Sequence, residues 1–242
     1  MVDDSKQEQL IIQQPSTSRL SPWLTPLAYF LGNRVLMPFY FGRIKVTGQE
    51  NLPSRGPVIL APTHRARWDA LLVAYATGRG VTGRDLRFMV TADEVRGLQG
   101  WFIRRLGGFA INVSRPSITT LRHGVDLLRR GEMMVIFPEG GIFRDEEVHT
   151  LKPGLARIAL QSEALAEGLG VKILPISLHY EQPRPRWGSH VEIRIGKPIM
   201  VEPYTQGTPK VQAKRLTAEL SEALQNLSAG YTERPLAIAV SR

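Results

Sequence analysis

The chain has 242 residues, 43% of them hydrophobic, which is enough apolar material for one sizeable core. Lys and Arg number 31 against 22 Asp and Glu, a formal charge of +9 that favours anionic partners such as phosphate esters, anionic lipid, an acidic carrier protein or nucleic acid. The absence of cysteine excludes disulfides, thiolate zinc sites and a cysteine nucleophile.

Residues 1–21 are polar, carry Asp3, Asp4 and Glu8, and lack the basic start and apolar run of a signal peptide, so they read as a disordered tail. Residues 22–42 then turn apolar and aromatic, with Trp23, Tyr29, Phe30, Phe39 and Phe41. Pro26, Arg34 and Pro38 interrupt this run. It is poor material for a span of roughly 20 apolar residues, but it suits a helical segment that associates with a membrane surface. The competing reading is a helix packed on the domain's own core.

Between residues 43 and 230, short β-branched runs at 44–47, 58–61, 86–90, 133–137, 172–178 and 191–195 alternate with helix-like stretches, the pattern of an α/β sheet. Ile118, Leu121, Val125 and Leu128 recur at helical spacing, with Pro116 near the start and Gly131 past the end. Ala213, Leu216, Leu220 and Leu224 repeat that period over 209–227, and residues 231–242 form a C-terminal tail. Gly78, Gly80 and Gly83 spell G-x-G-x-x-G, but a dinucleotide loop must follow a strand and open a helix. Here the order is reversed, so these glycines read as a helix-to-strand turn.

The apolar strand at 58–61 delivers His64 into a loop, and Asp69 follows five residues on at a helix start. Side chains at i and i+5 share no helix face, so the two meet only if the loop folds back. If they do, Asp69 accepts the Nδ1 proton of His64 and leaves Nε2 as a general base. A second apolar strand ends in Phe137-Pro138-Glu139-Gly140-Gly141, where glycines let backbone N–H groups approach a phosphate or a developing oxyanion. Neither a G-x-S-x-G elbow nor any other signal of a covalent acyl-enzyme is present.

The order of HxxxxD at 64–69, a glycine-led stretch at 107–112, Phe-Pro-Glu-Gly at 137–140 and Val-x-Ile-Leu-Pro-Ile at 171–176 resembles the glycerolipid acyltransferase family, which contains the 1-acylglycerol-3-phosphate acyltransferases. The resemblance runs over residues 43–200. It implies a single α/β domain with a mixed, mostly parallel sheet flanked by helices, preceded by the membrane-associating segment. It also implies His64 as the base, Asp69 as its orienting partner, and Glu139, Gly140 and Gly141 in the acceptor-phosphate site, with Pro175 on a strand shaping the acyl-chain or donor side. The family commonly has arginine where this chain has Val113 and Ile142; the nearest arginines, Arg115 and Arg144, are the expected phosphate ligands. The residue two after the histidine, often serine, is Ala66.

The implied reaction moves a fatty acyl group from acyl-CoA or acyl carrier protein to lysophosphatidic acid, giving phosphatidic acid. It needs no cofactor, and it is expected at the cytoplasmic side of an anionic membrane surface, with no nucleic acid. Glycerol 3-phosphate or another lysophospholipid is the alternative acceptor. Two readings from other classes are a metal-dependent hydrolase using His64, Asp69 and Glu139 as ligands, whose spacing lacks the helical pairing of metalloproteases, and a nucleic-acid-binding module, for which the arginines are too dispersed.

Overall fold

A computed structural model describes residues 18–112, 117–166 and 168–231. Its strands are β1 (Arg43–Thr47), β2 (Val58–Pro62), β3 (Leu86–Thr91), β4 (Gly108–Ile111), β5 (Met133–Val135), β6 (Lys172–Tyr180), β7 (His190–Ile195) and β8 (Ile199–Met200). They form one sheet in the order β1-β7-β6-β2-β5-β3-β4, with β8 beside β6. Only the β6–β7 and β6–β8 pairings are antiparallel. The sheet is thus mixed and mostly parallel, as the alternation of elements implies.

Its two cores follow from the period of two along a strand. Ile59 and Ala61 of β2 face a cluster with Met134 and Ile173, whereas Val58 and Leu60 face one with Met133, Val135, Leu174 and Ile176. All five β2 positions are buried, which is why this strand reads as a continuous apolar run. Helices cover both faces. The Leu60 cluster takes Leu72, Val73 and Ala76 from α3 (Asp69–Thr77); α4 (Arg79–Thr82) and α5 (Gly97–Arg105) follow. The Ile59 cluster takes Leu127 and Leu128 from α6 (Ile118–Arg129), Leu155 and Ile158 from α7 (Gly154–Leu165), and Leu216, Leu220 and Leu224 from α8 (Pro209–Ala229). Ser117 caps α6 by accepting the Thr120 amide at 3.1 Å.

The N-terminal segment is helical: α1 (Leu24–Leu31) runs through a π-helical turn (Gly32–Leu36) into α2 (Met37–Tyr40). The segment has two sides, one packed on the domain and one exposed. Leu24, Met37 and Phe41 are buried, and the Tyr29 hydroxyl accepts the Leu86 amide at 3.3 Å. Trp23, Leu27, Phe30, Leu31, Val35 and Phe39 are exposed. No helix among the described residues is long and apolar enough to cross a membrane. The G-x-G-x-x-G turn is the seat for this segment: a Cβ on Gly78 would stand 2.5 Å from Cε1 of Tyr29, and one on Gly80 2.7 Å from Nδ2 of Asn33.

Two boundaries differ from the sequence reading. Residues 18–21, expected in the polar tail, are tied to the end of α5: the Arg19 and Ser21 amides donate to the Arg104 and Arg105 carbonyls at 3.1 and 2.9 Å. Tyr231, expected in the C-terminal tail, donates its hydroxyl to the Ser177 and Glu192 carbonyls at 3.0 and 3.2 Å. Residues 1–17 and 232–242, the rest of both expected tails, lie outside the described residues.

Candidate active site

Register builds the site. Strands β2 and β5 are parallel neighbours with Leu60 opposite Val135, and the chain reaches His64 and Glu139 four residues beyond each. Both loops therefore leave the same edge of the sheet side by side, at the carboxyl ends where α/β sheets place their sites.

The loop between β2 and α3 folds back on the Asp69 carboxylate, which is fully buried. Oδ2 of Asp69 accepts the Arg65 amide at 2.5 Å, the Ala66 amide at 2.8 Å and Nδ1 of His64 at 2.8 Å. This is how residues five apart come together: two backbone donors turn the loop round the acid, and the imidazole completes the ring of donors. Oδ1 accepts the Tyr180 hydroxyl from the end of β6 at 2.5 Å. Burial, then the negative charge of Asp69, raises the pKa of Tyr180 far above that of an ordinary tyrosine, so it is a permanent donor. With Nδ1 so engaged, Nε2 is the free nitrogen of His64. The imidazole stacks on Phe137, centroids 4.0 Å apart, and its side chain is 19% exposed.

Glu139 is placed beside this dyad, but its carboxylate is committed inside the protein. It is 2% exposed and accepts the His64 amide at 2.7 Å, the His149 amide at 3.0 Å, and Nη1 of Arg65 at 2.9 and 3.0 Å. The other terminal nitrogen of Arg65 donates to the Glu147 carbonyl at 2.9 Å. Glu139 is thus a brace that fixes the backbone of His64, with both of its carboxylate oxygens engaged by donors inside the protein. The same saturation leaves Glu139 no lone pair to share with a cation, and no group of three His, Asp or Glu side chains among the described residues could hold a metal ion.

His64 opens on a cavity of about 910 Å³, walled mostly by apolar side chains of β3, α5, α7 and the N-terminal helix. Gly140, Gly141 and Ile142 line it close to His64, as do three cations, Arg67, Lys152 and Arg157. Arg67 pairs with Glu94 at 3.4 Å; Lys152 and Arg157 are exposed and form no ion pair among the described residues. Gly140 turns the chain here with φ +72°, a conformation that favours glycine. Of the expected phosphate ligands, Arg144 lies on a separate hollow of about 60 Å³ that Arg65 also lines, and Arg115 is outside the described residues. Arg144 is not among the residues that line the cavity beside His64.

The sequence model of the family described as Acyltransferase matches residues 43–179, more than half of the chain and all of the elements that carry the dyad. The chain belongs to the glycerolipid acyltransferase family. Among its acyltransferase relatives, the 1-acyl-sn-glycerol-3-phosphate acyltransferase of Bacillus subtilis (strain 168) is 27% identical over 124 residues, 51% of this chain and 59% of that protein. The protein of the same name in Pseudomonas aeruginosa is 24% identical over 196 residues, 77% of this chain and 70% of that protein. The matched stretch spans between about half and three-fifths of the first relatives, 59% and 49% of the Bacillus subtilis and Streptococcus pneumoniae proteins. The crystal structure of the 1-acyl-sn-glycerophosphate acyltransferase PlsC from Thermotoga maritima is similar in fold, with a TM-score of 0.68 at 19% identity over 97% of this chain and 85% of that one.

Tyr180 and Arg65 buttress Asp69 and Glu139, and Lys152 and Arg157 line the cavity; none of the four belongs to the residues expected to form the site. Tyr180 sits 111 residues from Asp69, and only the pairing of β6 with β2 brings it there. A signal was present for Arg65, inside HxxxxD, and for Lys152, the basic residue at the end of the loop that begins with the glycines.

Proposed function

We propose that the protein transfers a fatty acyl group from the thioester of acyl-CoA or acyl carrier protein to the free hydroxyl of 1-acylglycerol 3-phosphate, forming phosphatidic acid. The observation that carries this reading is the His64–Asp69 dyad at the mouth of a large apolar cavity whose wall also holds two unpaired cations. An apolar cavity suits acyl chains, and cations beside the base suit an acceptor phosphate. Nε2 of His64 takes the acceptor proton as its oxygen attacks the thioester carbonyl. Asp69 stabilises the imidazolium, and the backbone N–H of Gly141 faces the developing oxyanion, that of Gly140 being held by the Phe137 carbonyl at 3.2 Å. Collapse breaks the C–S bond, and the proton passes from His64 to the leaving thiolate. Lys152 and Arg157, with Arg67, hold the phosphate in place of Arg115 and Arg144.

The N-terminal helix supports a peripheral position on the cytoplasmic side of a membrane. Thr25, Ala28, Tyr29 and Gly32 line the cavity, while Trp23, Leu27, Phe30 and Phe39 of the same segment are exposed. A lipid acceptor then passes from bilayer to cavity along one helix. A second acceptor, glycerol 3-phosphate, is favoured by one observation: the human mitochondrial glycerol-3-phosphate acyltransferase 1 aligns with 79% of this chain, at 24% identity and over 24% of its own length. The test is a panel of lysophosphatidic acid, other lysophospholipids and glycerol 3-phosphate against both donors, read by mass spectrometry. Phosphatidic acid as the main product is expected; no esterified product from any pair defeats the reading.

A further inference from the structure

The turn joining β6 to β7, residues 181–189, begins with Glu181 and carries Arg184, Arg186 and Trp187. Trp187 is 62% exposed, yet its ring centroid lies 4.1 Å from that of Phe39, itself 63% exposed. Backbone hydrogen bonds fasten the turn to the end of the N-terminal helix. The Gly188 amide donates to the Tyr40 carbonyl at 2.8 Å, the Gly42 amide to the Ser189 carbonyl at 3.1 Å, and the Tyr40 hydroxyl to the Pro185 carbonyl at 3.2 Å. The exposed apolar stripe of that helix, at 23, 27, 30, 31, 35 and 39, therefore continues onto Trp187 of a distant part of the chain.

Charge says what this surface meets. No Asp or Glu occurs in residues 18–49, and in the turn the exposed Glu181 beside β6 is the one acid against Arg184 and Arg186. Arg34, Arg43, Arg184 and Arg186 are exposed there, and none forms an ion pair among the described residues. Unpaired arginines beside exposed tryptophan match the boundary of an anionic bilayer, where guanidinium groups reach lipid phosphates and amphipathic rings sit at headgroup depth. Geometry adds a reason for a second contact. A helix lying in the interface fixes the depth of the domain but leaves it free to roll about the helix axis. A contact on a turn fastened beside its end stops the roll.

We propose that the β6–β7 turn is a second membrane-contact element, in which Trp187 enters the interface of an anionic bilayer and Arg184 and Arg186 bind lipid phosphates, so that the cavity faces the membrane. This rests on the membrane reading of the N-terminal helix. The experiment is sedimentation of the full chain with phosphatidylcholine vesicles, with and without phosphatidylglycerol. It compares the wild type, Arg184→Glu/Arg186→Glu, Trp187→Ala, and Leu27→Ser/Phe30→Ser in the helix. An arginine near an anionic surface contributes about a fivefold factor, so the double charge reversal lowers partition to anionic vesicles on the order of twentyfold or more. Trp187→Ala lowers it roughly tenfold on both vesicle types, since its apolar area no longer leaves water. Turnover of a dispersed short-chain acceptor stays unchanged in both turn variants. Wild-type binding in both turn variants, with binding lost in the helix variant, overturns the proposal and leaves the helix reading standing. No binding by the wild type overturns both. Arginine variants that keep vesicle binding but lose affinity for acyl carrier protein overturn it in favour of a carrier-protein dock.

Discussion

Asp69 meets four donors with two oxygens, two of them backbone amides and two the side chains of His64 and Tyr180, which can be removed separately. His64→Ala takes away the base and is expected to abolish turnover with the fold retained. In Asp69→Asn the amide can turn its NH2 towards the Tyr180 oxygen and keep its carbonyl on the two backbone amides and His64. The geometry survives and the charge does not, so kcat falls on the order of a hundredfold with little change in thermal midpoint. Tyr180→Phe removes one charge-assisted bond, an expected stability loss of about 1.5–3 kcal/mol, and lowers kcat with acceptor KM unchanged. An unaltered kcat in Tyr180→Phe would make that hydroxyl purely structural. Glu139→Gln leaves the buried Arg65 guanidinium without its counter-charge, for which the expected loss is about 3–5 kcal/mol by denaturant unfolding. Acceptor KM in the folded fraction should stay constant, whereas a phosphate-binding residue would raise it.

At the scale of elements, the seat of the N-terminal helix is the most exacting contact outside the site. A methyl group on Gly78 meets the Tyr29 ring at 2.5 Å and the Ala74 carbonyl oxygen at 2.6 Å, and the second of these is backbone that cannot swing away. Gly78→Ala is therefore expected to cost about 1–3 kcal/mol and to speed proteolysis of residues 24–40. Gly80→Ala, which meets only the end of the Asn33 side chain, should cost less. Equal thermal midpoints for the two variants would show that the seat is soft. The pattern of residues announced some elements and hid others for physical reasons. Strands β2 and β6 were legible because they are buried on both faces, and α6 and α8 because one face is buried at helical spacing. Helix α5 was not: Gly97 and Gly100 read as breakers, and Leu98, Trp101 and Phe102 point to no periodic core, being exposed. Gly100 is required there by the Val95 backbone, 2.3 Å from where a Cβ would stand. In the site, the His64–Asp69 spacing could be read, but its closure by Tyr180 and the Arg65–Glu139 brace arise from strand register, which no local spacing encodes.

For the molecule as a whole, the +9 charge is distributed with consequence. Lys152 and Arg157 stand on the cavity wall while Arg144 stands outside it. Lys152→Ala and Arg157→Ala are expected to raise acceptor KM by roughly tenfold each with kcat little changed, the loss of a bond to a charged group held in ground and transition state alike. Arg144→Ala should leave KM as it was; the reverse pattern in steady-state kinetics would move the phosphate to the smaller hollow. A different consequence follows from the edge of the sheet. Strand β1, which the ribosome makes early, pairs only with β7, and Arg43 waits for His190 to complete its register. During synthesis the apolar segment before β1 has left the exit tunnel long before its partner turn exists, so loop closure over nearly the whole domain is the last step. A nascent chain halted at residue 185 should be cleaved by protease at 23–47, and one halted beyond residue 230 with its C-terminus clear of the tunnel should resist. In that interval the segment can reach its seat on residues 78–86, but Phe39 still lacks Trp187 and the end of the helix lacks the turn that fastens it.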